Sequence, residues 1–338
     1  MSYKTGDLIA DKYLVTREFD SANGGQCQWG FAVNINDRNE YFVKKFLSPV
    51  YPGEKAPGGE KSKQKRRDQC DKFAMKQLLI QEALSACGAG GSVVVTVDFF
   101  KYGNENGEHF FKVCQKVDTS SLSKVIHTLE PKKRLFVMLT AVGALNILHY
   151  NGIVHLDLKP DNILIQEWEG KQIAKIIDFD SSIIEGESIA VEFLVGDPVY
   201  YSPEFAKHIS TNGETPAPNK KSDIFSLGLI LCEYWTGSRP FLSGSYTYAH
   251  EAVLDGKKLE LPLPQSKSKL RGTMIQTPLD IEVRNLIGKM LILSPEKRPQ
   301  ITEVQQQIKY LYNNGTLPKN DKNKDVKNQL IMNFTRKL

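Results

Sequence analysis

One carboxylate, one ammonium and one amide lie within six residues of this chain, and a second carboxylate follows sixteen residues after the amide. Asp157, Lys159 and Asn162 provide the first three groups, and Asp178 provides the fourth. Phosphoryl transfer from a nucleotide needs such a set: a base for the attacking hydroxyl, a cation for the γ-phosphate and oxygen ligands for magnesium. We therefore predict that Asp157 and Lys159 are catalytic and that Asn162 and Asp178 bind metal.

The elements that must position these groups change in character near residue 118. Before it, β-branched and aromatic runs such as 13–19 and 41–46 are separated by Gly, Asn and Asp, which is typical of strands and turns. One helix, predicted at 68–87, interrupts these strands. After residue 118, apolar residues recur at helical spacing. The pattern predicts an α+β protein in which a sheet precedes a group of helices.

Several segments resemble the protein kinase family. The stretch 155–164 resembles its catalytic loop, and Asp178-Phe-Asp180 resembles its metal-binding motif. Residues 196–204 are similar to the segment that closes the activation loop, and 223–228 to the start of a central helix whose Asp braces the catalytic loop. Lys297-Arg298-Pro299 is similar to the segment whose arginine pairs with a glutamate, here Glu204.

This resemblance extends over roughly residues 11–312 and implies a bilobal protein kinase fold. The N-lobe, at 11–117, would be β-rich with one main helix and a basic loop at 52–67. The C-lobe, at 118–314, would be helical, and 315–338 would form a basic extension. ATP would bind between the lobes together with Mg²⁺, for which two ions are expected.

The resemblance also implies which residues hold ATP. A strand aims only one of two successive side chains into a cleft, and the aliphatic run before Lys44 favours Lys44 over Lys45 as the residue that would contact the phosphates. Glu82 would be its helix partner. The glycine loop is a weak match, since Cys27 replaces its middle glycine. The predicted ATP-binding residues are Lys44, Glu82, Gly25, Gly30, Ala32, Phe42, Gln115, Val117 and Leu164.

The residues expected above adenine depart from the family pattern as a pair. Phe42 replaces the family's alanine and Ala32 replaces its valine, an exchange that could keep the volume nearly constant. One hypothesis is that Phe42 stacks on adenine while Ala32 makes room. The rival is that Phe42 fills the pocket. Cys114 would stand at the gatekeeper position, before a hinge at 115–117.

Three further departures concern metal binding and regulation. Asp180 replaces the glycine of the metal-binding motif, and Leu156 replaces the arginine that binds a phosphate on the activation loop in many regulated kinases. Asp197 replaces a threonine and could pair with Lys159 or repel Asp157. The only aliphatic hydroxyls between Asp178 and Ser202 belong to Ser181, Ser182 and Ser188. We therefore predict activity without activation-loop phosphorylation.

The composition excludes other classes of protein. With 41% hydrophobic and 25% charged residues, the 338-residue chain is typical of a globular domain, and no apolar run is long enough to span a membrane. Five scattered cysteines indicate a reducing compartment, so we expect a cytoplasmic protein with no membrane insertion. The basic cluster 61–67 lacks interleaved aromatic residues, which disfavours a nucleic-acid partner.

The favoured interpretation is a serine/threonine protein kinase that phosphorylates a protein substrate, because Lys159-Pro160 resembles the serine/threonine form of the loop. Two alternatives remain open. A nucleotide-binding pseudokinase or scaffold is motivated by the departures at Cys27, Phe42, Asp180 and Asp197. A kinase for a small molecule would share the catalytic loop.

Overall fold

The sheet of the N-lobe follows from the alternation of apolar and polar residues in the first third of the chain. A computed structural model describes residues 2–21, 27–87, 91–119, 125–187, 191–264, 269–270, 273–274 and 276–315. Its largest sheet has six antiparallel strands in the order β1-β2-β3-β4-β6-β5. These strands are β1 (Leu8–Ile9), β2 (Tyr13–Asp20), β3 (Cys27–Asn34), β4 (Glu40–Pro52), β5 (Thr96–Asn104) and β6 (Gly107–Gln115).

The main helix of this lobe, α1 (Glu60–Ser85), begins earlier than predicted. The basic cluster 61–67 forms its first two turns, so the prediction that this cluster lies in a loop is wrong. Lysine, arginine and glutamine favour helices, and no breaker follows Gly59. Arg67 pairs with Glu60 in the first turn at 2.5 Å, and Arg66 donates to the carbonyl of Pro57.

The second lobe packs its helices around α4, which is buried on nearly every side. Asn219 begins this helix by accepting a hydrogen bond from the Lys221 N–H, and Gly237 ends it with φ = 85°. The other helices are α2 (Pro131–Tyr150), α3 (Pro203–Ser210), α5 (Ala249–Leu254), α6 (Pro278–Met290) and α7 (Ile301–Asn314), with α4 at Lys220–Thr236. The order of sheet lobe and helical lobe confirms the predicted bilobal α+β fold.

Two short strand pairs of the helical lobe flank the residues of the candidate site. They are β7 (Ile153–Val154) with β10 (Ile183–Ile184), and β8 (Ile163–Trp168) with β9 (Lys171–Ile176). A third pair, β11 (Lys269–Leu270) with β12 (Thr273–Met274), lies farther along the chain. In β8, Ile163 and Ile165 are buried in the lobe's core. Across the described residues, no helix is long and apolar enough to span a bilayer.

Candidate active site

The catalytic-loop backbone is fixed by one buried carboxylate. The side chain of Asp223, in the first turn of α4, accepts hydrogen bonds from the backbone N–H groups of His155 and Leu156 at 2.8 and 2.9 Å. The ring Nε2 of His149 lies 2.9 Å from the same carboxylate. Leu156 adopts φ = 62°, an uncommon conformation for a branched residue that these bonds hold in place. The predicted bracing role of Asp223 is confirmed.

Asp157 is held at both carboxylate oxygens. Its Oδ1 accepts from the backbone N–H of Asp197 at 2.9 Å, and its Oδ2 accepts from Asn162 Nδ2 at 3.0 Å. Lys159 Nζ lies 3.3 Å from Oδ2. The structure thus brings together three of the four residues predicted for phosphoryl transfer, and it orients the carboxylate expected to act as the base.

Asn162 and Asp178 lie side by side at one end of the β8–β9 hairpin. Ile163 pairs with Ile176, and the Ile177 N–H donates to the Asn162 carbonyl at 3.0 Å, which places Asp178 just beyond Asn162. Because Asn162 Nδ2 donates to Asp157, its amide oxygen remains for a metal ion. A carboxylate and an amide oxygen are the hard ligands that Mg²⁺ prefers, so this donor set fits the ion.

Lys44, on β4, reaches the turn 178–180, which includes the predicted metal ligand Asp178. Its Nζ lies 3.0 Å from Asp178 Oδ2 and 2.6 Å from Asp180 Oδ2. Burial lowers the pKa of Lys44, but the attraction of Asp180 and Asp178 outweighs it and raises this pKa well above its ordinary value. Lys45 points to the opposite face of the sheet, where its ammonium lies over the ring of Tyr3.

Two further lysines, which the sequence analysis does not identify as site residues, contact Asp180. Lys112, directly opposite Lys44 in the β4–β6 pairing, forms an ion pair with Asp180 Oδ1. Lys76, on α1, donates to the Asp180 carbonyl at 2.8 Å. Burial raises the pKa of the Asp180 carboxyl, but Lys112 and Lys44 outweigh it and hold this pKa far below its ordinary value.

The predicted pair between Lys44 and Glu82 is wrong. Glu82 is exposed in the last turn of α1, while Gln77, Ile80 and Leu84 form part of the helix's buried stripe. Glu82 is two positions after Ile80, a rotation of about 200° around the helix, so the two side chains point to opposite sides. Within the described part of the chain, the carboxylates that pair with Lys44 are those of Asp178 and Asp180.

The prediction that Ala32 lies above the nucleotide is also wrong. Ala32 pairs with Tyr41, whereas Phe31 pairs with Phe42, so Ala32 lies on the face opposite Phe42 and is fully buried there. Phe42 does share the face of Lys44, where its ring stacks on Trp29 with centroids 5.8 Å apart. Exchange of volume between Ala32 and Phe42 is therefore excluded.

The glycine loop is only partly described. Gly25 lies outside the described residues. Gly30 lies inside β3 and is buried, and a Cβ atom there would come within 2.4 Å of the Phe19 ring and 2.7 Å of the Arg17 carbonyl. Close packing of β2 against β3 therefore requires glycine at position 30.

The remaining predicted ATP-binding residues surround the link between the lobes. Cys114 pairs with Phe42 and shares its face, as expected for a gatekeeper, and burial raises the pKa of its thiol to about 11. Gln115 ends β6 and is exposed, and Val117 is half-buried in the connection that follows. Leu164 is half-buried in β8 and points away from the core that Ile163 and Ile165 enter.

The start of the activation segment is tied to the catalytic loop by apolar contacts. Leu156 is 4% exposed and packs in a cluster with Val154, Ile183, Leu194 and Phe205. Leu156 therefore contributes apolar packing at the position where many regulated kinases have an arginine that binds a phosphate.

Two polar residues of the same segment have structural partners. Ser182 is fully buried, and its Oγ donates to the His155 carbonyl at 3.3 Å. Ser188 lies outside the described residues. The Asp197 carboxylate accepts from the Val199 N–H at 3.0 Å and begins a short 3₁₀ turn. The ion pair considered between Asp197 and Lys159 does not form, because Lys159 pairs with Asp157.

The end of the segment is locked by a buried ion pair, as predicted. Arg298 donates to both oxygens of Glu204, from Nη1 at 2.7 Å and from Nη2 at 2.9 Å. Its side chain is completely buried, and its guanidinium also donates to backbone carbonyls, including that of Lys221. Two parallel bonds of this kind fix the direction of both partners.

Known proteins are similar to this chain in sequence. The protein kinase domain family matches residues 59–310, a region that begins at α1 and leaves out the strand that carries Lys44. The ovarian-specific serine/threonine-protein kinase Lok of Drosophila melanogaster is 33% identical over 163 residues, which are 48% of this chain and 31% of that protein. Serine/threonine-protein kinase PknB of Mycobacterium leprae is 30% identical over 216 residues, which are 62% of this chain and 31% of that protein.

A third relative is serine/threonine-protein kinase ULK3 of Mus musculus, 31% identical over 210 residues, which are 61% of this chain and 39% of that protein. The chain thus spans between about a third and two-fifths of the length of these relatives. The family region covers well over half of the 338 residues. This chain belongs to the protein kinase family.

Proposed function

We propose that this chain is a serine/threonine protein kinase that transfers the γ-phosphate of ATP to protein hydroxyls. The observation that carries the proposal is the convergence of Asp157, Asn162, Asp178 and Lys44 at the mouth of the β8–β9 hairpin. Each retains a side chain with the charge or donor atom that phosphoryl transfer needs. The printed names of the relatives support the serine/threonine class.

Each predicted site residue has one role in the proposed reaction. The hydroxyl oxygen of the substrate bonds to the γ-phosphorus, the bond from that phosphorus to the β–γ bridging oxygen breaks, and ADP leaves. Asp157 accepts the hydroxyl proton, and its two hydrogen-bonded oxygens fix its direction. Lys159 stabilises charge on the transferred group. Asn162 and Asp178 would hold Mg²⁺, of which two ions are expected, and the bound metal neutralises charge on the phosphates.

Activity without activation-loop phosphorylation belongs to the same proposal. The apolar cluster around Leu156 and the bond from the Asp197 N–H to Asp157 order the segment without a phosphate. Ser182 donates from a buried position, where a phosphate would not fit without displacing its neighbours. A Ser181/Ser182/Ser188 triple alanine variant that loses most of its activity would contradict this part.

A pseudokinase remains the second candidate because of one specific observation. The extra carboxylate of Asp180 engages Lys44, the lysine that would otherwise be available to the ATP phosphates. A kinase for a small molecule is less supported, since the Arg298–Glu204 lock closes an activation segment of the kind that the resemblance assigns to protein kinases.

The test is transfer of radiolabelled γ-phosphate from ATP with Mg²⁺ to a generic basic protein, with wild type and Asp178→Asn side by side. The proposal expects transfer by wild type and none by the variant. No transfer by either protein, together with calorimetric binding of ATP, would replace the enzyme by the scaffold.

A further inference from the structure

We propose that Asp180 is a positioning residue that holds Lys44 in register for the ATP phosphates, in the place where this chain was expected to use a helix glutamate. The inference deepens the proposed function and rests on it. Asp180 Oδ2 lies 2.6 Å from Lys44 Nζ, closer than either oxygen of Asp178 at 3.0 and 3.1 Å. Asp180, rather than the predicted metal ligand Asp178, is therefore the nearest partner of Lys44.

The surrounding charges favour this assignment. Lys44 and Lys112 are cross-strand partners on one face of the sheet, and like charges so placed destabilise a sheet unless a counterion bridges them. Asp180 supplies that counterion, with Oδ2 toward Lys44 and Oδ1 toward Lys112. Lys112 is only 7% exposed, so this carboxylate compensates a cation that is largely shielded from water.

Helix α1 contributes a cation here instead of an acid. Lys76 lies one turn before Ile80 and reaches across to the Asp180 carbonyl at 2.8 Å. Three lysines from β4, β6 and α1 thus meet the turn 178–180, which supplies both carboxylates. Lys44 is then positioned whenever this turn is in place, and Lys76 links α1 to the turn through the main chain of Asp180.

The test combines kinetics with a direct readout of the lysine. Asp180→Asn keeps the shape of the side chain and removes its charge. We expect kcat for phosphate transfer to fall at least tenfold while the KM for ATP does not rise, because a negative charge has left the phosphate site. Adding Lys76→Glu to this variant returns one negative charge to the cluster from α1, beside the turn that Lys76 contacts in wild type, and we expect it to recover at least threefold of the lost kcat.

Controls separate positioning from structural damage. Asp71→Asn removes an exposed acid from α1 and should leave kcat unchanged. Thermal melting of each variant reports on folding, and the rescue by Lys76→Glu would not follow from simple destabilisation. In protein labelled with ¹⁵N-lysine, the Nζ signal of Lys44 should shift in Asp180→Asn and stay in place in Asp71→Asn.

A kcat of Asp180→Asn within twofold of wild type would overturn the inference. So would a loss of kcat without a change in the Lys44 Nζ signal, because Asp180 would then act by another route. If wild type itself transfers no phosphate, the proposed function fails, whereas the Nζ signal still decides whether Asp180 holds Lys44.

Discussion

Replacement of Leu156 by alanine tests whether packing, rather than a phosphate, orders the activation segment. Leu156 is 4% exposed, so the change removes three buried carbons, worth about 2.4 kcal/mol of transfer free energy. The cavity left in the cluster adds to this loss, and about 3 kcal/mol in all is expected. Because the cluster joins the catalytic loop to the segment, the loss should appear first as local opening of the β7–β10 pair.

Three measurements report on the local opening of the β7–β10 pair. Urea unfolding gives the total loss of stability, and amide hydrogen exchange at Ile183 gives the local part. A local cost of about 3 kcal/mol corresponds to roughly a hundredfold faster exchange there. The kcat for phosphate transfer should fall at least tenfold, because Asp157 loses the ordered N–H of Asp197.

Leu156→Met is the matched control, since it keeps the volume nearly constant and should cost less than about 1.5 kcal/mol. The reasoning is refuted if Leu156→Ala loses under about 1 kcal/mol and keeps both its exchange rate at Ile183 and its kcat. Phosphatase treatment of wild type adds a second check, because activity that disappears with phosphate removal contradicts a segment ordered by packing.

Three further predictions concern other parts of the molecule. Phe42→Ala should weaken calorimetric ATP binding, because Phe42 shares the face of Lys44 and offers a ring for stacking; tighter binding would instead identify Phe42 as a plug. Glu82→Gln should leave kcat within twofold of wild type, since Glu82 is exposed, and a tenfold loss would restore it as the partner of Lys44. Burial raises the pKa of the Cys232 thiol from 9.0 to about 12, so the unfolded chain loses this proton first and stability falls as pH rises above 9. The free energy of unfolding measured in urea should therefore fall by about 1 kcal/mol less between pH 8 and 10 in Cys232→Ala than in wild type. Equal declines in the two proteins would contradict a raised pKa of the Cys232 thiol.

The predicted site residues that the structure brings together lie in contiguous motifs or follow from strand alternation. Asp157, Lys159 and Asn162 share one loop, so their spacing alone brings them together. Strand alternation predicts that Lys44 and Lys45 point to opposite faces, as they do, and the aliphatic run before Lys44 favours that residue for the cleft. The change from strand to helix periodicity predicts a sheet followed by helices, and the family resemblance implies the bilobal arrangement.

The two wrong predictions, for Glu82 and Ala32, depend on the orientation of residues around a helix and on the register of a strand. The resemblance implies Glu82 as the helix partner of Lys44, but the orientation of Glu82 is set by the buried stripe through Ile80 and Leu84. The resemblance also implies Ala32 above the nucleotide, but the pairing of β3 with β4 turns it to the opposite face. A shift of one residue in a strand reverses every side chain, and the sequence offers no local signal that fixes it.

The contribution of Lys76 and Lys112 could not be foreseen from local pattern. Asp180 lies 104 residues from Lys76 and 68 residues from Lys112 along the chain, and only the packing of sheet, helix and turn brings these charges together. One signal is present at Lys112, which stands between the apolar residues Phe111 and Val113 in the buried part of β6. A charged residue in such a position needs a partner, and here the partner is Asp180.

We propose Asp157 as the base of a phosphoryl-transfer reaction, and the rate of the Asp157→Ala variant decides this assignment. The kcat for transfer from radiolabelled ATP should fall on the order of 10²- to 10⁴-fold, the usual contribution of a positioned base. ATP binding by calorimetry should persist, because Lys44, Asn162 and Asp178 remain. If Asp157→Ala phosphorylates its substrate at the wild-type rate, Asp157 is not the base.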